Sequence, residues 1–144
     1  LISEIADRFG SQVLVVSLDL KRSFENASGF TVTSHGGSVD AKIDALEWIL
    51  KVQGLGAGEL LVNSIDADGT KSGFDIELLK LVSEVATVPV IASGGAGSAE
   101  HFVEAALTGV DALLAASIFH QREVLIADVK RALSDADIYV RGAA

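Results

Sequence analysis

Four short apolar runs, most of them rich in β-branched residues, recur at positions 13–20, 60–65, 88–92 and 112–119, and segments of helical spacing lie between them. Residues 41–53 carry Ile43, Leu46, Ile49 and Leu50 on one helical face, 75–85 carry Ile76, Leu79 and Val82, and 123–133 carry Val124, Ile126, Val129 and Leu133. Residues 98–107 open on a serine suited to capping a helix, and residues 1–9 add a helix before the first run. Near-continuous apolar runs read as strands of a parallel sheet covered on its outer face, because a strand with one face in water alternates. The order, one helix and then strand–helix four times, specifies an α/β layer with right-handed crossovers. One stretch, SFENASGFTVTSHGG, interrupts it and reads as a short hairpin around residues 30–34. Four strands fit an open sheet with helices on both faces, or part of a closed barrel with helices only outside. Periodicity does not separate the two, and each leaves two sheet edges to be covered.

At 144 residues, the chain suits one domain, residues 1–144, with a sizeable core. Its hydrophobic fraction is 49%, yet no run of about 18 apolar residues without charges occurs, so no membrane span is expected. The net charge of −9, with no cluster of Lys and Arg, argues against nonspecific nucleic-acid binding. It leaves room for a local phosphate site, because peptide N–H groups bind anions without net positive charge. The acidic surface otherwise reads as solvation. Without cysteine there are no disulfides or thiolate metal sites, and with no secretory signal the expected location is cytoplasmic. The opening LISEIADRFG lacks an initiator Met and is already helical in pattern, which reads as a removed start or a piece of something longer. A short RGAA at the other end is the only tail-like stretch.

Ligands of parallel α/β folds bind at the carboxyl ends of the strands, and here those ends are polar or glycine-rich. The first run ends at Asp19, followed by Lys21 and Arg22. The second leads into Asn63-Ser64-Ile65-Asp66-Ala67-Asp68-Gly69, the third into Ser93-Gly94-Gly95-Ala96-Gly97, and the fourth into Ala115-Ala116-Ser117. Glycines after the third run let peptide N–H groups face an anion with no Cβ in the way, and Ser117 offers a hydroxyl; the alternative is a tight strand–helix turn. Asp19, costly if buried unpaired, is either salt-bridged to Lys21 or Arg22 or placed for proton transfer. Asp66 and Asp68 in DADG have the look of a metal pair, but Asp-Gly is also an ordinary turn, and no metal is expected. His35, His101 and His120 lack ligand spacing and read as helix or loop residues.

The segments LDLKR (18–22), GAGELLVNSIDADGTKSGFD (56–75), VPVIASGGAGSAEHF (88–102) and LLAASIFH (113–120) resemble the cyclase subunit of imidazole glycerol phosphate synthase, a (βα)8 TIM barrel enzyme of histidine biosynthesis. The resemblance spans the chain but corresponds to the C-terminal half of that barrel. It implies a (βα)4 half-barrel of parallel strands with outer helices, preceded by one helix. The family's reaction joins ammonia from a glutaminase partner to a ribulosyl formimino-aminoimidazole carboxamide nucleotide, with one aspartate from each half as general acid and base and no cofactor. Asp19 matches the second aspartate. Gly69, Gly95, Ala116 and Ser117 match the phosphate cradle of this half, and Asn63, Asp68 and Ser93 match ligand-lining positions. Glu59 resembles the acidic member of the charged gate on the ammonia path. The chain departs from the pattern after the hairpin, where Ser38-Val39-Asp40-Ala41-Lys42 replaces a basic pair and Thr-Gly. The glutaminase-docking surface belongs largely to the other half.

Three functions follow as expectations: a cyclase half that binds a phosphorylated ligand or inorganic phosphate and turns over little alone, a self-associating half-barrel, and a half-barrel of the sister aminoaldose–ketose isomerase. The LDLKR and LAASIFH segments favour the cyclase. A homodimer or higher homo-oligomer is expected, since two copies closing edge to edge remove both exposed edges.

Overall fold

The computed structural model describes residues 1–142, so the last two residues of the RGAA stretch lie outside the described residues. Helix α1 (Ile2–Phe9) and a 3-10 turn (Ser11–Val13) lead into β1 (Val15–Arg22) and a hairpin of β2 (Phe30–Ser34) and β3 (Val39–Asp44). There follow α2 (Ala45–Gly54), β4 (Glu59–Ser64), α3 (Ile76–Val85), β5 (Val90–Ser93), α4 (Ala99–Ala106), β6 (Ala112–Leu114), α5 (Ser117–His120) and α6 (Ile126–Asp135). The strands form one sheet in the order β3-β2-β1-β4-β5-β6. Strands β1, β4, β5 and β6 are parallel in chain order, as in half of a (βα)8 barrel, and the antiparallel hairpin extends the sheet beyond β1.

The sheet is wider than the four expected strands. Residues 41–44, read as the start of a helix, belong instead to β3, because Ile43 satisfies either period and the hairpin supplies a ladder partner. Helix α2 starts where Asp44 caps it, its carboxylate accepting from the N–H groups of Leu46 (2.9 Å) and Glu47 (3.2 Å). Asp75 caps α3 in the same way through Leu78 N–H (3.1 Å). Ser98 precedes α4 without a side-chain cap bond. The fourth run is strand only to Leu114, and Ser117 already begins a helix. The first and third strands run two and one residues further than expected, to Arg22 and Ser93.

Burial alternates along the central strands. Leu18 and Leu20 of β1, Leu60 and Val62 of β4, and Val90 and Ala92 of β5 point to the helix side, where Ile49 and Val52 of α2, Leu78 and Val82 of α3, and Phe102 of α4 meet them. Leu20, Ile49, Val52, Leu60, Val62 and Val82 are fully buried, and burial of each stabilises the fold by about 1.5–3 kcal/mol. On the opposite face Val15, Ser17, Ala112 and Leu114 are exposed, and Leu61 and Ile91 are partly so. These residues belong to neither core cluster. Helices cover one side of the sheet; among the described residues the other side is open at β1, β4, β5 and β6, while Thr31 and Thr33 of β2 are buried, and β3 and β6 are the edge strands.

Candidate functional site

Register lines up the polar strand ends. Asp19 of β1 pairs with Asn63 of β4, and Asn63 with Ser93 of β5, so three side chains of one row project from the uncovered face at the carboxyl end of the sheet. Asn63 Nδ2 donates to Asp19 Oδ1 at 3.1 Å. On the other flank, the Thr33 hydroxyl donates to the Asp19 carbonyl oxygen at 2.9 Å and ties β2 to the row. The carboxylate is half-buried, accepts a neutral donor, and has no ion-pair partner among the described residues.

The salt bridge considered for Asp19 is corrected by where Arg22 goes. Its guanidinium, on the opposite face, donates to both Asp75 oxygens (2.9 and 3.1 Å) and to Glu77 (2.7 Å), and lies 4.9 Å from the centre of the Phe30 ring. Its own N–H donates to Asp66 at 2.7 Å. Hydrogen bonding to Glu77 raises the Arg22 pKa further, with Asp75 adding to it, so the cation is permanent. Arg22 therefore fastens the end of the Asp19 strand to the loop that carries Asp68 and Gly69, from residue 66 to the start of α3. The carboxylate partners of its guanidinium are more than fifty positions away, and no local pattern announces them.

The glycines after β5 answer to a close loop–loop approach. Gly94 and Gly95 are buried with φ of +93° and +99°, a region L side chains rarely adopt. A Cβ on Gly95 would collide with the carbonyl oxygen of Gly73, and one on Gly94 would stand 2.8 Å from that of Ser64. Gly73 N–H donates to Gly95 at 2.8 Å, and His101 Nδ1 of α4 accepts Gly97 N–H at 3.1 Å. The loop after β5 is thus held between the β4–α3 loop and α4. Among the described residues, the N–H groups of Gly69, Gly95 and Ala116 find no acceptor.

These loops enclose a cavity of about 200 Å³ lined by Asp68, Gly69, Lys71, Ser93, Gly94, Gly95, Ala116 and Ser117, among others. It brings together six of the residues singled out from the sequence and adds Lys71, its one basic side chain. Lys71 Nζ is engaged by Glu123, at 2.6 and 2.8 Å to the two carboxylate oxygens. Neither residue was singled out from the sequence, because a pair spanning 52 positions leaves no periodic trace. Asp19 and Asn63 flank the cavity through Ser93, the shared member of the row. Glu59 stands apart, paired with Val15 at the amino end of the sheet, about 13 Å along β4 from Asn63. His35 contacts Ser34 (3.0 Å) in the hairpin turn and is not among the residues lining the cavity. The 38–42 segment carries its own network: the Thr31 hydroxyl, then Lys42, hold the Asp40 carboxyl down to about 2.

Among known proteins, the family model described as histidine biosynthesis protein matches residues 1–125. The chain is 60% identical over 141 residues to the imidazole glycerol phosphate synthase subunit HisF of Leifsonia xyli subsp. xyli, covering 98% of this chain and 56% of the relative. It is 54% identical over 145 residues to the subunit of the same name from Corynebacterium glutamicum (strain R), with the same coverage. With that from Thermobifida fusca it shares 55% identity over 136 residues, 92% of this chain and 53% of the relative. The chain spans about half the length of the curated relatives it matches. A family match across residues 1–125, together with 60% identity over 98% of the chain to one relative, makes this chain a member of the histidine biosynthesis protein family.

Proposed function

We propose that the chain is the C-terminal half-barrel of a cyclase of the imidazole glycerol phosphate synthase type, and that it binds a phosphate group of the substrate nucleotide. The observation that carries the reading is the Asp19–Asn63–Ser93 row opening onto a cavity edged by peptide N–H groups without acceptors. In this reading Gly69, Gly95, Ala116 and Ser117 present N–H and hydroxyl donors to phosphoryl oxygens, which suits a site in a chain of net charge −9. Asn63 orients the Asp19 carboxylate, which takes and returns a proton as ammonia attacks the bound nucleotide and the imidazole ring closes. A second aspartate, from the other half-barrel, completes the pair, and Glu59 at the far end of the sheet faces the ammonia path. A glutaminase partner supplies the ammonia in the assembled enzyme.

The uncovered face of β1, β4, β5 and β6, the outer side of β1 left unpaired over residues 15–18, and the open edge β6 favour a second element of the proposal, association of two copies into a closed eight-stranded barrel. That arrangement places a second Asp19 across a twofold from the first. Light scattering at micromolar concentration is expected to give a dimer or tetramer, and a monomer throughout would refute closure by a second copy. The catalytic reading is tested with Asp19→Asn. Turnover of the nucleotide with free ammonia is expected to fall about a hundredfold or more, while the Kd for inorganic phosphate stays within about twofold. Undiminished turnover would remove Asp19 from the acid–base role.

A further inference from the structure

We propose that Lys71 is the side-chain ligand of the anion in this cavity and that Glu123 competes with the anion for it, so the site selects dianionic phosphoryl groups over singly charged anions. The inference rests on the phosphate reading above and assigns the charge selectivity of that site.

Lys71 is the only basic residue among those lining the cavity, and Asp68 lines it as well. An entering anion therefore meets one cation and one carboxylate. The cation is already engaged: both oxygens of Glu123, from the segment joining α5 to α6, lie within 2.8 Å of Lys71 Nζ. The two ends of the pair are about equally exposed, at 41% and 40%, so the ammonium exchanges carboxylate for ligand at the cavity mouth without crossing a buried barrier. The Lys71 backbone is itself pinned. Its φ is +57°, and its carbonyl oxygen packs so closely on Gly97 that a Cβ there would collide with it. The side chain is the part that moves, swinging from Glu123 to the anion while the loop stays.

Charge arithmetic gives the selectivity. A singly charged anion replaces Glu123 at Lys71 with no gain in charge, and it still meets Asp68. A phosphomonoester dianion brings a second charge and further acceptors for the N–H groups of Gly69, Gly95 and Ala116. Glu123 thus excludes weaker anions from the cradle and lowers affinity for phosphate itself.

The test is an amide NMR titration of the full chain and two variants with inorganic phosphate at pH 8, where the dianion dominates, and with formate as the singly charged anion. Glu123→Gln is expected to tighten phosphate binding about two- to fivefold, as loss of a half-exposed competing pair should. It should also admit formate, which the unaltered chain excludes. Lys71→Gln is expected to weaken phosphate about threefold or more. If phosphate shifts the Gly69, Gly95 and Ala116 amides equally in the unaltered chain and in Glu123→Gln, the competition is refuted while the cradle stands. If phosphate moves those amides in neither protein, the cradle itself is refuted and the inference with it. Binding by Glu123→Gln alone would show the cradle masked by its own carboxylate, as the inference requires.

Discussion

Replacing Gly95 with alanine tests whether the loop after β5 is built around its glycines. The φ of +99° lies where a side chain costs about 1–3 kcal/mol in backbone strain alone. The new Cβ would collide with the Gly73 carbonyl oxygen and approach the Ala67 Cβ to 3.0 Å, and neither obstacle is the free end of a flexible side chain. Relief requires the β4–α3 loop to retreat, which breaks the 2.8 Å bond from Gly73 N–H to Gly95 at a further cost of about 1 kcal/mol. The sum is about 2–4 kcal/mol, a large share of the roughly 5–15 kcal/mol that holds a domain of this size together. Thermal unfolding followed by circular dichroism should show Tm lowered by about 6–20 °C. Amide spectra should place the largest shifts at residues 67–73, and phosphate binding should be lost at temperatures where the variant is still folded. A Tm within about 2 °C of the parent, with the Gly73 amide unmoved, would refute the reasoning, since it would mean that the two loops do not touch as described.

Two further substitutions probe charges outside the cavity. Arg22→Gln removes the cation from the Asp75 carboxylate, which is only 6% exposed, and is expected to destabilise by about 1–3 kcal/mol, solvent screening at the half-exposed guanidinium holding the loss below that of a fully buried pair. Urea unfolding measures the loss, and hydrogen exchange should show faster opening of residues 66–75; unchanged values for both would dissolve the fastening role. Thr31→Val removes the first cause of the low Asp40 pKa and should bring that carboxyl back up toward its ordinary 3.8. Because the folded-state pKa is the depressed one, the stabilising contribution of Asp40 is present above about pH 4 and fades as pH falls toward 2. A carbon-13 titration of Asp40 reads the midpoint directly, and an identical midpoint in the variant would assign the shift to Lys42 alone.

The alternation of apolar runs with helical stripes was enough to identify a parallel α/β layer, and the residues closing each run marked the ligand end. Local periodicity records which side of a segment meets the core, and that relation survives in the sequence. It does not record where a segment pairs. Ile43 fits a helix or a strand, and only the ladder with β2 makes residues 39–44 a sixth strand of the sheet. The fourth run is apolar but for Ser117, yet it leaves the sheet after Leu114 and is helical from Ser117. The glycines at 94 and 95 were visible as an oddity. That their absent side chains make room for Gly73 and Ser64 is a fact of two loops meeting in space. The same holds for Arg22 with Asp75, Lys71 with Glu123 and Asn63 with Asp19, pairs separated by 44 to 53 positions. Sequence alone determined the alternation of four parallel strands with helices and the kinds of residue at each strand end. Tertiary structure decided which of them share a row, which charges are already spent on one another, and which residues line the cavity, because Coulombic and steric contacts depend on distance through space and not along the chain.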